Sequence, residues 1–469
     1  MNKSSQTQKY WSNAAMTTSN TKGFKIPPII WIILGVILIL SIPRIMSFIK
    51  FPDTIFVEDN NDNNDIGILG TITETKQQAV EAYSRGDFLA AQNYFQLSLA
   101  QQRNDPESLI YLNNSRAKES VNLLKLAVVV PIGSNLNIAQ EILRGVAQAQ
   151  NEINDKGGIN GQFLHITIIN DNNDPKVAKK VAKKLVKNSD IMGVIGHNAS
   201  TVSQEVAPIY QKSGLVMITP TSSAKGIPDV GNYIFRTLPN TNAMAQTLAN
   251  YALENSQKFA ICYDSTSLFS RSFKNTFSTI ILQNQGQLSP TVCDFSAVNF
   301  NGDKEIREAL NNGADTMVII PHIDGIEKAN LLAVKNRGRL NFLGTSVLNT
   351  IKTLEVGESM EGLSIVVPWS AKNPLNQLFA TSARQLWGGN VNWRTASAYD
   401  ATNTFIEGLR QGQTRDTLQQ AIENPQFSTN TINGIVKFLP NGDRSVKGII
   451  VQVQPSKHQT GYDFIPIEP

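Results

Sequence analysis

Two apolar runs in this 469-residue chain stop abruptly at small hydroxyl residues: VIGHNAST, Val194 to Thr201, and VMITPTSS, Val216 to Ser223. Serines and threonines at strand ends offer neutral O–H donors. Joined by the free N–H groups that open a following helix, they suit a small anion. Ser200 stands where the first run gives way to a helix. Thr201 with Gln204 has the T-x-x-Q spacing of a capping box, which predicts the helix start there. The second run supplies Thr219, Thr221, Ser222 and Ser223. A carboxylate held by such donors needs no buried counter-charge, so the desolvation cost of a second ion is avoided. On spacing alone the same residues also serve as ordinary helix caps.

Little else in the chain points to chemistry. His165, His197, His322 and His458 are scattered, without the spacing of a zinc-binding helix. Two cysteines, Cys262 and Cys293, are too few for a cysteine-rich metal site. No nucleophile elbow, P-loop or complete dinucleotide fingerprint occurs. The expectation is a protein that is not an enzyme and uses no cofactor or metal. A net charge of +4 gives no ground for nucleic-acid binding. His197, just before Ser200, reads as a packed, hydrogen-bonded residue rather than a ligand group. Cys262 and Cys293 sit near the ends of consecutive strands. They are either a disulfide, permitted outside the cytoplasm, or two buried thiols. Lys176, Lys179, Lys180, Lys183, Lys184 and Lys187 form the solvated face of a helix.

The elements that must position the hydroxyls begin at Leu123. LLKLAVVVPI is a continuous β-branched run, as expected of a strand covered on both faces. Helix AQEILRGVAQAQNEIND, strand FLHITIINDN and helix DPKVAKKVAKKLVKNSD lead to the two opening stretches. This β-α alternation predicts an α/β fold with a parallel, doubly wound sheet and right-handed crossovers. A second series starts at KFAICYD and runs through SPTVCDF, DTMVIIPH and RLNFLGTSVL. It ends in a helix, TASAYDATNTFIEGLRQG, and a β region, INGIVKFLPNGDRSVKGIIVQVQ. Two Rossmann-like lobes imply a cleft outside the carboxyl ends of their strands.

Upstream, residues 1–25 carry lysines and no acid, 26–49 form an apolar segment, and 50–72 are acidic and polar. About 20 apolar residues span a bilayer. The charge bias predicts a single-pass anchor with a cytoplasmic N-terminus and the rest outside. A cleaved signal peptide is the competing reading. The length of the run, its opening at Pro27 and Pro28 and the lack of an A-x-A site favour the anchor. In residues 73–120, Gly86 and Asp87 separate two antiparallel helices. The Gly-Asp-Phe turn and the aromatics beyond it resemble the centre of a tetratricopeptide repeat, although little more than one unit is present.

Within 123–469, EINDKGGINGQFLHI and VIGHNASTVSQEVAPIYQKSGLVMITPTSS resemble the branched-chain amino-acid (leucine/isoleucine/valine) binding proteins of ABC importers. The resemblance continues more weakly to GIVKFLPNGD. It implies a type I periplasmic binding protein whose two lobes close on an amino acid or similar small carboxylate. The first lobe would comprise about 123–238 and 374–434, the second about 239–373 and 435–469. It implies ligand contacts at Ser200, Thr221, Ser222 and Ser223, aromatic cover from Phe269 and His322, and an acid for the ammonium at Glu358 or Glu361. Two departures stand out: Ile138 and Ala139 replace an aromatic–glycine pair, and Phe269 lacks the usual tyrosine hydroxyl. The implied partner is an ABC permease, or a signalling output in place of transport. A competing reading, also by resemblance, is a protein–protein regulator of the kind that activates cell-wall synthases, with the helical segment as docking module and a vestigial cleft.

Overall fold

The computed structural model describes residues 73–118, 123–457 and 460–467. The expected anchor, 26–49, and the acidic spacer, 50–72, lie outside the described residues. Among the described residues no helix is long and apolar enough to cross a membrane.

Three helices come first, where the sequence suggested two. The Thr73 side chain caps α1 (Glu74–Ser84), and Asp87 caps α2 (Phe88–Gln101). Pro106 opens α3 (Pro106–Lys118), with Asp105 accepting from the N–H and hydroxyl of Ser108. Proline suits this position because its missing N–H would have no helical partner. Lys76, only 1% exposed, lies 2.8 Å from both Asp105 and Glu107 and ties α1 to the start of α3. Nearly the whole of α3 is buried.

The first α/β series runs β1 (Leu123–Val130), α4 (Leu136–Asp155), β2 (Phe163–Asn170), α5 (Pro175–Leu185), β3 (Ile191–Ile195), α6 (Ser200–Lys212), β4 (Val216–Thr219) and β5 (Ile234–Arg236). Its five strands are parallel, in the order β2-β1-β3-β4-β5. Edge strand β2 is covered by α3. The Asn114 amide donates to the Ile166 carbonyl at 2.8 Å, and its oxygen accepts from the Ile166 N–H at 3.0 Å. This segment is therefore built into the first lobe.

The second series runs α7 (Thr241–Asn255), β6 (Lys258–Tyr263), α8 (Leu268–Gln283), β7 (Gln287–Leu288), β8 (Cys293–Asp294), α9 (Gly302–Asn311), β9 (Thr316–Ile320), α10 (Ile326–Asn336), β10 (Asn341–Thr345), α11 (Ile351–Leu354) and β11 (Ser364–Val367). The run SPTVCDF does not make one strand. Pro290 cannot donate to a ladder, and the chain pairs only in two-residue pieces on either side of it. Cys262 on β6 lies directly across from Cys293 on β8, and the two form a disulfide.

The chain then returns to the first lobe as α12 (Gln377–Trp387), α13 (Trp393–Gln411) and α14 (Arg415–Glu423), followed by hairpin β12 (Thr429–Thr431) and β13 (Gly434–Val436). Helix α13 crosses α4 closely: a Cβ on Gly145 would lie 2.2 Å from the Thr395 carbonyl, so only glycine fits. Finally β14 (Ile449–Pro455) adds antiparallel to β11 and β15 (Tyr462–Pro466) antiparallel to β14, giving the order β15-β14-β11-β10-β9-β6-β7 with β8 also on β6.

Candidate ligand-binding site

The turns after β3 and β4 are held from behind by buried polar groups. His197 is fully buried, with Nδ1 2.7 Å from Asp171 and Nε2 3.0 Å from the Tyr210 hydroxyl. Its carbonyl accepts from Thr219 and Ser222 at 3.0 and 3.1 Å. Ser222 also pairs with the Ser203 hydroxyl at 2.7 Å, so its side chain is directed into the protein. Arg236, at the end of β5, donates to the carbonyls of Ser222 and Ala224 at 3.2 and 2.8 Å, and its Nε pairs with Asp443. Desolvation pulls this guanidinium below its usual range, with Asp443 opposing the shift. Arg236 thus fixes the path of the chain through Ser223.

Between the two sheets lies a narrow cleft of about 60 Å³. Most of the loops that form it leave the carboxyl ends of parallel strands: Ser200 after β3, Thr221 and Ser223 after β4, Phe269 after β6, His322 after β9 and Ser346 after β10. The structure therefore brings together Ser200, Thr221, Ser223, Phe269 and His322. A charged hollow lined by Glu141, Arg144, Asp324 and Lys352 adjoins the cleft and shares Ile138, Ile323 and Arg394 with it.

Three of the expected positions are not in the lining. Ser222 is turned inward, as described. Glu358 and Glu361 lie exposed at a turn before β11, where Glu361 accepts from the Tyr462 hydroxyl at 3.3 Å. They are at the amino end of that strand, opposite the end at which the cleft opens. The capping-box reading of Thr201 also fails. Helix α6 begins at Ser200 after an Ala199 cap that makes no side-chain bond. The Thr201 hydroxyl instead accepts from the Leu268 N–H of the other lobe at 3.2 Å.

Among the lining hydroxyls, Thr221 already donates to the Asn198 carbonyl at 3.0 Å. Ser200 accepts from the Ala224 N–H at 3.2 Å, which leaves its own proton free to donate. The Ser223 hydroxyl has no hydrogen bond among the described residues. The first N–H groups of α6 point the same way and carry the positive end of the helix dipole.

Among the lining residues missed by the sequence reading are Trp393 and Arg394 on the first turn of α13. The Trp393 Nε1–H donates to the Ser346 carbonyl across the lobes at 3.2 Å, and the Arg394 guanidinium stacks 4.4 Å from the Trp393 ring centroid. Asn392, an Asx cap accepting from the Arg394 N–H, marked the helix start. No local signal placed it in the cleft.

A family model described as periplasmic binding protein matches residues 124–459. The Leu/Ile/Val-binding protein of Escherichia coli K12 is 38% identical over 334 residues, 68% of this chain and 88% of that protein. The leucine-, isoleucine-, valine-, threonine- and alanine-binding protein of Pseudomonas aeruginosa is 25% identical over 336 residues, 69% of this chain and 88% of that protein. Among solved structures, a leucine-binding protein from Thermotoga maritima superposes with a TM-score of 0.65 at 19% identity, covering 74% of this chain and 99% of that one.

Proposed function

The chain belongs to the periplasmic binding protein family, and from that membership we propose that it is an extracytoplasmic solute-binding protein that catalyses no reaction. Its two lobes close on an amino acid or similar small carboxylate and present it to an ABC permease or a sensing partner. Segment 26–49 anchors it as a single-pass span with residues 1–25 in the cytoplasm. The observation that carries the reading is the meeting of Ser200, Thr221 and Ser223 at the strand ends, with the Ser200 and Ser223 protons uncommitted to protein. Hydrogen bonds to a charged group contribute about 1.5–3 kcal/mol each. Three such bonds, two from these hydroxyls and one from an N–H at the start of α6, supply much of the roughly 8 kcal/mol that micromolar binding requires.

The test is a thermal-shift screen of the full chain against common amino acids and small carboxylates, repeated on Ser200→Ala and Ser223→Ala. A ligand at 100 times its Kd stabilises by about 2.7 kcal/mol. A shift that both substitutions reduce supports the reading. A shift that neither changes removes the hydroxyls from the site, and no shift from any compound removes the small-carboxylate function.

A further inference from the structure

We propose, resting on the binding reading above, that the ligand is a small carboxylic acid with an apolar body and no ammonium group, its charge shared between the strand-end hydroxyls and Arg394. Arg394 is only 3% exposed, yet its one side-chain hydrogen bond among the described residues is a long one, 3.5 Å to the Asn349 carbonyl. An interior guanidinium with so few partners calls for an acceptor, and the wall it occupies is the cleft. Burial pulls its pKa down to about 10, with Glu141 opposing the shift, so it remains charged at neutral pH.

An α-amino acid needs the opposite charge as well, and the cleft does not supply it. No aspartate or glutamate is among its lining residues, whose ionisable members are Arg394 and His322. The acids nearby already have protein partners. Glu141 takes Arg144 at 2.6 Å and the Thr395 hydroxyl at 2.5 Å, and Asp324 takes His322 Nδ1 at 3.1 Å. Glu358 and Glu361 are at the wrong end of β11. Two of the carbonyls nearby are also committed: that of Asn198 accepts from Thr221 and Ser222, and that of Ser346 from Trp393. An ammonium here would lie beside the Arg394 guanidinium with no carboxylate in the lining to balance it, which disfavours it by both desolvation and repulsion. The remaining walls, Ile138, Phe269, Ile323 and Val347, suit an aliphatic or aromatic body.

The experiment compares matched probes on the full chain by thermal shift and calorimetry: L-leucine against 4-methyl-2-oxopentanoate and 4-methylpentanoate, and L-phenylalanine against 3-phenylpropanoate. The expected result is at least tenfold tighter binding of the amine-free acids. Arg394→Gln should weaken them tenfold or more, and Arg394→Lys should restore part of the loss. Because the wild-type preference is read without any variant, a poorly folding Arg394→Gln does not obscure it. Equal or tighter binding of the amino acids overturns the inference and leaves the solute-binding reading standing. So does an Arg394→Gln protein that folds and binds unchanged. No binding of any probe overturns both.

Discussion

His165 shows how much a single position depends on what packs against it. It sits on β2 beneath Tyr83, whose hydroxyl is 3.4 Å from its Nε2. Burial, reinforced by the positive fields of Lys118 and Lys125, pulls its pKa from 6.5 to about 3. Above pH 6.5 the ring is neutral in both folded and unfolded chains and adds no pH dependence. Between pH 6.5 and 3 only the unfolded chain takes up the proton, so stability falls with falling pH, by at most about 1.4 kcal/mol per unit. Between pH 6.5 and 5, urea unfolding should show His165→Gln losing about 2 kcal/mol less than the wild-type protein. Equal losses would mean that the folded state protonates His165 freely. The sequence displayed such residues unevenly. Ser200, Thr221 and Ser223 were legible because each ends an apolar run, a local pattern. Arg394 lies 171 positions beyond Ser223 and meets it only through the return of α13, so nothing local revealed it. Glu358 and Glu361 were misplaced for the reverse reason: a matching local motif does not say which end of a strand faces the cleft.

At the scale of elements, alternation of strand and helix was readable wherever a strand was buried on both faces, as in β1, and failed at the short edge pieces β7 and β8. There the covalent bond does what the ladder does not. The Cys262–Cys293 bridge spans 31 positions, and closing a loop of that size stabilises by about 2–4 kcal/mol in the chain-entropy account. The double substitution Cys262→Ser, Cys293→Ser should lower the urea-derived stability by that amount, and an unchanged value would show that β8 is held by packing alone. The helical segment makes a second case. Its repeat-like turn was visible in sequence, but its partner was not, since Asn114 recognises backbone on β2 and backbone leaves no mark in composition. Asn114→Ala should cost about 2–4 kcal/mol by leaving the buried N–H and carbonyl of Ile166 without their partner. A loss below about 0.5 kcal/mol would show that water takes over and that the helices are only loosely applied to the lobe.

Across the whole molecule, the chain passes between the sheets after β5, after β11 and after β13. Three crossings confine relative motion of the lobes to a hinge. In the structure the lobes also meet directly. Besides Thr201 with Leu268 and Trp393 with Ser346, the Lys225 N–H donates to the Ser272 hydroxyl at 3.3 Å. Ser272 is outside the cleft lining, so removing its hydroxyl alters closure without altering any contact to ligand. If this contact forms only on closure, Ser272→Ala destabilises the closed state alone, by about 0.5–1 kcal/mol for one partly exposed bond. That corresponds to a two- to fivefold shift in the open–closed ratio. Stopped-flow release of a ligand identified by thermal shift should then accelerate by roughly two- to fivefold, with the association rate and the ligand-free melting temperature nearly unchanged. A lowered ligand-free melting temperature with unchanged release would place the contact in the open form too. The remaining cross-lobe bonds at Trp393, Thr201 and Arg394 would then carry closure, and all three residues line the cleft itself.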